Sequence, residues 1–122
     1  IKPLLNAGMI FEAIVLMLNN ISANSVFYKK ALKLEGAVTF NQIAMKCVYE
    51  MFMNIISEKS TGKKSKYRWL TPEVISTYYA QSLCFITEGW IAQGMDDIEP
   101  KEMAEAYMYL ITRSMDDILS EL

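Results

Sequence analysis

The 122-residue chain contains no histidine. That absence removes Ser-His-Asp and Cys-His catalysis, haem ligation by His, and every His-based zinc site, because each needs an imidazole. Cysteine is almost as scarce. Cys47 and Cys84 are too few for a four-thiolate metal site, and each falls in an apolar helical stretch. They read as buried free thiols, with a disulfide as the alternative, and free thiols belong to a cytoplasmic chain. There are only three prolines and five glycines, and regular strand alternation is missing. The longest unbroken apolar run covers only residues 13–18, whereas a membrane span needs about 20 residues. The first residues lack the basic region and cleavage site of a signal peptide. With a net charge of −2 there is no overall basic balance to favour nucleic acid.

Hydrophobic residues make up 52% of the sequence, at or just above the top of the usual soluble range of about 45–50%. A chain of this length is expected to be one domain, residues 1–122, that buries roughly two thirds of its unfolded surface. It opens on Ile1 rather than Met, so a fragment or a processed product is expected.

Five helices are predicted. Helix one covers residues 3–20 and is apolar on every side but for Glu12, so burial on most faces is expected. Ser22 or Asn24 can cap helix two, residues 25–33, with Gly36 as its stop. Helix three, residues 38–57, carries one apolar stripe through Ile43, Ala44, Cys47, Val48, Met51 and Ile55, and another through Met45, Tyr49, Phe52 and Ile56. Gln42, Lys46, Glu50 and Asn54 form a narrow polar line between them. Lys59, Lys63, Lys64, Lys66 and Arg68 around Gly62 read as a solvated connector, since no aromatic interleaving or Gly-rich phosphate cradle accompanies the charge. Thr71-Pro72-Glu73 is the strongest boundary in the chain: Thr caps, Pro fits the first turn, and Glu opposes the positive helix end. Helix four continues to residue 93, where Gly94 ends it. Helix five starts near Pro100 and runs to the end of the chain.

Chemistry-bearing clusters are few. Asp96-Asp97 and Asp116-Asp117 lack the oxygen-rich loop that a hard cation requires, so no metal and no cofactor are expected. Met-Asp-Asp-Ile occurs at residues 95–98 and 115–118, in inequivalent positions, and reads as coincidence. Glu12 lies on a line with Gly8 and Asn19, which suggests an exposed edge; as a pocket group it would contact a ligand donor. Glu88 has the same two readings. Nothing pairs a nucleophile with a base, and no phosphate loop or dinucleotide fingerprint is present, so an enzyme is not expected. The nine Met and seven Tyr residues together favour an adaptable apolar cavity.

Helices four and five each carry two apolar stripes, more than an open array of five helices can cover. A symmetric dimer buries such a surplus against its own copy. Two helices from each chain would form a four-helix bundle, with Phe85, Ile86, Trp90, Leu110, Ile111 and Met115 at the interface.

Asn24-Ser25-Val26-Phe27-Tyr28, followed by Gly36 and Phe40, resembles the start of the effector domain in TetR-type transcriptional regulators. Tyr78-Tyr79, then Glu88-Gly89-Trp90-Ile91 and Gly94, then Glu99-Pro100-Lys101-Glu102-Met103-Ala104, resembles its last two helices. The likeness spans residues 20–119 and is nearest to the subgroup related to dihydroxyacetone kinase operons. One position departs from the pattern: Glu99 stands where a small Ser or Thr usually caps the last helix. The resemblance implies an all-α, TetR-like C-terminal domain that dimerises through its last two helices. It also implies a small apolar or amphipathic effector among the central helices, and contact with DNA only through an N-terminal helix-turn-helix head absent from this chain. A pocket projected onto helices one, three and four takes Met9, Ala13, Met17, Cys47, Met51, Tyr78 and Ser82 as its lining. A helical adaptor that grips a partner protein's helix is the rival reading of the same apolar faces.

Overall fold

The computed structural model describes residues 2–33, 40–59 and 66–122. Its order is α1 (Lys2–Ala23), α2 (Ser25–Lys33), α3 (Phe40–Lys59), α4 (Pro72–Ala92), α5 (Pro100–Thr112) and α6 (Met115–Glu121). The domain is all-α, and no single helix among the described residues is long and apolar enough to cross a membrane. Gly36 and the connector's Gly62, Lys63 and Lys64 lie outside the described residues.

Helix boundaries follow local chemistry. Asn24 separates α1 from α2, which meet at 88°. Its backbone carbonyl begins α2 by accepting from the Tyr28 N–H at 3.1 Å. Its side-chain amide donates back to the Asn20 carbonyl at 2.9 Å, so that amide closes α1. Thr71 caps α4 as expected: its Oγ1 accepts from the Val74 N–H at 3.2 Å, and Pro72 occupies the first turn, where a missing N–H costs nothing. Gly94, at φ 102°, takes the left-handed conformation that ends α4. Glu99 stands at the cap of α5 without a side-chain capping bond, as its length suggests.

The expected single last helix is in fact two. Arg113 is extended (φ −111°, ψ 147°), and Ser114 starts α6 by accepting from the Asp117 N–H at 3.1 Å. A capping Ser followed by two acids at a helix start outweighs continuity of the apolar stripe.

The core forms where four helices meet. It takes Ile14, Leu18 and Ile21 from α1, and Val48 and Phe52 from α3. From α4 come Ala80, Leu83, Cys84, Trp90 and Ile91, and from α5 Ala104 and Tyr107. α3 lies along α4, α1 packs on α5, and α2 leans on α4. The polar line of α3 is exposed throughout. Helix one departs from its expected burial on most faces: Ile14, Leu18 and Ile21 point inward, while Leu16 on the far side is 71% exposed. Gly8, Glu12 and Asn19 share that outer side.

Candidate functional site

Where α1, α2, α3 and α4 converge they line a partly open cavity of about 170 Å³. α1 contributes Met17, Asn20 and Ile21, and α2 contributes Tyr28. α3 supplies Ile43, Ala44, Cys47 and Val48, one of the two stripes legible in its sequence. α4 supplies Cys84, Thr87 and Glu88, whose i, i+3, i+4 spacing puts them on one face of that helix. The wall is mainly apolar, and Glu88 is the one carboxylate among its described residues.

Glu88 is anchored across the gap between helices. The Asn41 side-chain amide on α3 donates to its carboxylate, with oxygens at 3.1 and 3.2 Å. The bond fixes the carboxylate's position and leaves its charge intact. Burial, aided by the nearby Glu88 charge, pushes the Cys84 thiol up to about 11, because both disfavour a thiolate. Cys84 is buried and Cys47 exposed, and both are free thiols. Thr87 is only 6% exposed, and its Oγ1 has no hydrogen-bond partner among the described residues. An unsatisfied buried hydroxyl costs about 1–3 kcal/mol.

Of the residues projected from sequence, Met17 and Cys47 stand on this wall. Met9 is exposed, and Ala13 and Met51 are half-buried elsewhere in the packing. Tyr78 lies with Trp69 in a separate open groove beside the start of α4. Ser82 is engaged in the core: its Oγ lies 2.9 Å from the Tyr107 hydroxyl and donates to the Tyr79 carbonyl at 2.8 Å. Asn20, Tyr28, Ile43, Thr87 and the Asn41 anchor were missed. The spacing of Cys84, Thr87 and Glu88 was the available signal for the α4 side; the turn that brings α2 over the site was not.

A second feature adjoins the cavity. Phe85, Ile86 and Trp90 line an open groove together with Leu32, Ile98 and Met103, and Glu88 reaches this groove as well. Phe85 is 78% exposed. Trp90 sits differently from an interface anchor: it is 4% exposed, and its indole N–H donates to the Ile98 carbonyl at 2.9 Å. It forms the back of the groove and fastens the α4–α5 turn. On α5 and α6, Leu110 and Met115 are exposed and Ile111 is half-buried.

Among the described residues no three Cys, Asp or Glu side chains converge as metal ligands. What the fold offers is a small apolar chamber with one anchored carboxylate, beside an uncovered apolar surface, which is the organisation of a helical binding domain. The family model for TetR-type transcriptional regulator C-terminal regions matches residues 9–113, and the chain belongs to that family. No curated protein and no solved structure matches the chain.

Proposed function

We propose that this domain senses a small molecule in the α1–α4 cavity and pairs with a second copy of itself. The subgroup related to dihydroxyacetone kinase operons is the assignment within the family that its sequence favours. A DNA-reading head outside this sequence would respond to the pairing geometry, and the domain itself performs no catalysis. The observation that carries the reading is the cavity, lined by four helices of a regulator C-terminal region and adjoining the Phe85 groove. Because Glu88 reaches both, a ligand that moves Glu88 acts directly on the surface beside it. Coupling then needs only a difference in ligand affinity between two pairing geometries.

Pairing is supported by exposed apolar side chains on consecutive elements: Phe85, Leu110, Met115 and Leu119. Full burial of each such side chain contributes about 1.5–3 kcal/mol, and a two-fold axis counts every one twice. Association costs about 4–15 kcal/mol, so a patch of this size is sufficient only if most of it is covered. Sedimentation equilibrium at micromolar concentration is expected to give a dimer that Phe85→Glu converts to monomer. A wild-type monomer at every concentration would remove the pairing claim and favour an adaptor that receives a partner helix.

A further inference from the structure

We infer that the cavity selects a compact organic cation: a single ring-sized apolar body bearing a protonated amine that pairs with Glu88. The inference rests on the cavity being a ligand site and adds the class of ligand. Size sets the apolar part. A dry cavity on the order of 150 Å³ holds one benzene-sized ring, close to the roughly 170 Å³ here.

Charge sets the polar part. No Lys or Arg is among the described lining residues, and Glu88 supplies the one full charge. An anion placed there would meet a carboxylate in apolar surroundings with nothing to offset the repulsion. An ammonium would meet a fixed, half-buried acceptor beside a mainly apolar wall, and charge-assisted hydrogen bonds are stronger than neutral ones. Asn41 strengthens the argument. It donates a neutral hydrogen bond, which orients the carboxylate without cancelling its charge, as a Lys or Arg in its place would. The field of Glu88 reaches the wall, since it helps to raise the Cys84 thiol. Tyr28 adds an aromatic ring to the same chamber, and aromatic faces attract cations.

The test compares three probes of similar shape on the full chain by isothermal titration calorimetry: benzylammonium, benzyl alcohol and benzoate. Benzylammonium is expected to bind tightest and benzoate weakest, and the benzylammonium affinity should fall as salt rises. Glu88→Gln keeps the shape and the Asn41 contact. It should weaken benzylammonium about tenfold or more while leaving benzyl alcohol within about twofold, with an unchanged melting temperature showing that the fold is intact. Asn41→Ala, which frees the carboxylate to move, should weaken benzylammonium by a smaller factor. Equal binding of all three probes, tighter binding of benzoate, or indifference of benzylammonium to Glu88→Gln overturns the cation assignment and leaves the cavity as a ligand site. Failure of every probe to bind overturns the ligand site itself, and the assignment with it.

Discussion

Ser82 and Thr87 both turn a hydroxyl inward from α4, yet their surroundings differ. The Ser82 and Tyr107 hydroxyls lie 2.9 Å apart and each reaches the Tyr79 carbonyl, at 2.8 and 3.0 Å, so their two protons are shared among three contacts. A helix carbonyl can accept a second bond because it has two lone pairs, so the polar contact of Ser82 with Tyr107 of α5 is satisfied. Thr87 is more deeply buried than the half-buried Ser82, and its Oγ1 has no hydrogen-bond partner among the described residues. It stands beside a cavity and an anchored carboxylate. A protein retains an unsatisfied buried hydroxyl at a stability cost. Ser76, fully buried near the start of α4, also lacks a partner among the described residues. The contrast is therefore between two hydroxyls, a bonded one tied to α5 and an unbonded one beside the cavity.

The bonded site should give the largest response. Tyr107 is 1% exposed, the largest of the fully buried side chains. Tyr107→Ala is expected to cost about 3–5 kcal/mol, the range for deleting a buried aromatic ring, and chemical denaturation would measure it. Tyr107→Phe keeps the ring and leaves the Ser82–Tyr79 bond, so it should cost only about 0.5–1.5 kcal/mol. A near-neutral Tyr107→Ala would mean that the bonded site is as loosely packed as the cavity.

Alkaline pH tests the same site more gently. Burial raises Tyr107 from 10.0 to about 12, with the Ser82 hydrogen bond opposing in part, and raises Cys84 from 9.0 to about 11. Between the unfolded and folded values the unfolded chain has lost protons that the folded chain still holds. Stability therefore falls as pH rises through that window. The contribution of these groups is complete below about pH 9 and is lost progressively towards pH 12. Melting temperatures from pH 8 to 12 should decline accordingly. Tyr107→Phe should remove the Tyr107 share of the decline, between pH 10 and about 12, and leave the Cys84 share between pH 9 and about 11. A parallel curve for that variant would show that the Tyr107 hydroxyl is not held in the buried network.

The sequence was most informative where a boundary has a local chemical cause. Thr71-Pro72-Glu73 and Gly94 bracket α4 because a cap, a proline and a left-handed turn are each dictated by one or two residues. The polar line Gln42, Lys46, Glu50 and Asn54 marked the outer face of α3 for the same reason. The break at Arg113-Ser114 was missed because an apolar periodicity continues across it and hides the capping Ser. The cavity was legible only in small part. Met17 and Cys47 follow from helical spacing, but Tyr28 reaches the site only because α2 turns by 88° after Asn24, an angle that no periodicity encodes. Glu12 and Glu88 looked alike as lone acids in apolar helices. They differ because α1 turns its Glu12 edge to solvent, whereas α3 supplies Asn41 opposite Glu88.

The smallest expected effect decides whether the contrast along α4 is real. Thr87→Val exchanges the hydroxyl for a methyl group of similar size and leaves the helix unchanged. If Oγ1 lacks a partner in the folded protein, nothing is lost on its removal, and a buried polar group that cost free energy to desolvate is gone. The variant should then be as stable as the parent, or more stable by up to about 1 kcal/mol, in urea denaturation. The same exchange made at a bonded hydroxyl has the opposite sign, because it strands the partner. A loss above about 1 kcal/mol in Thr87→Val would therefore place Oγ1 in a hydrogen bond in solution. Thr87 would then be as well satisfied as Ser82, and the contrast between the two hydroxyls would disappear.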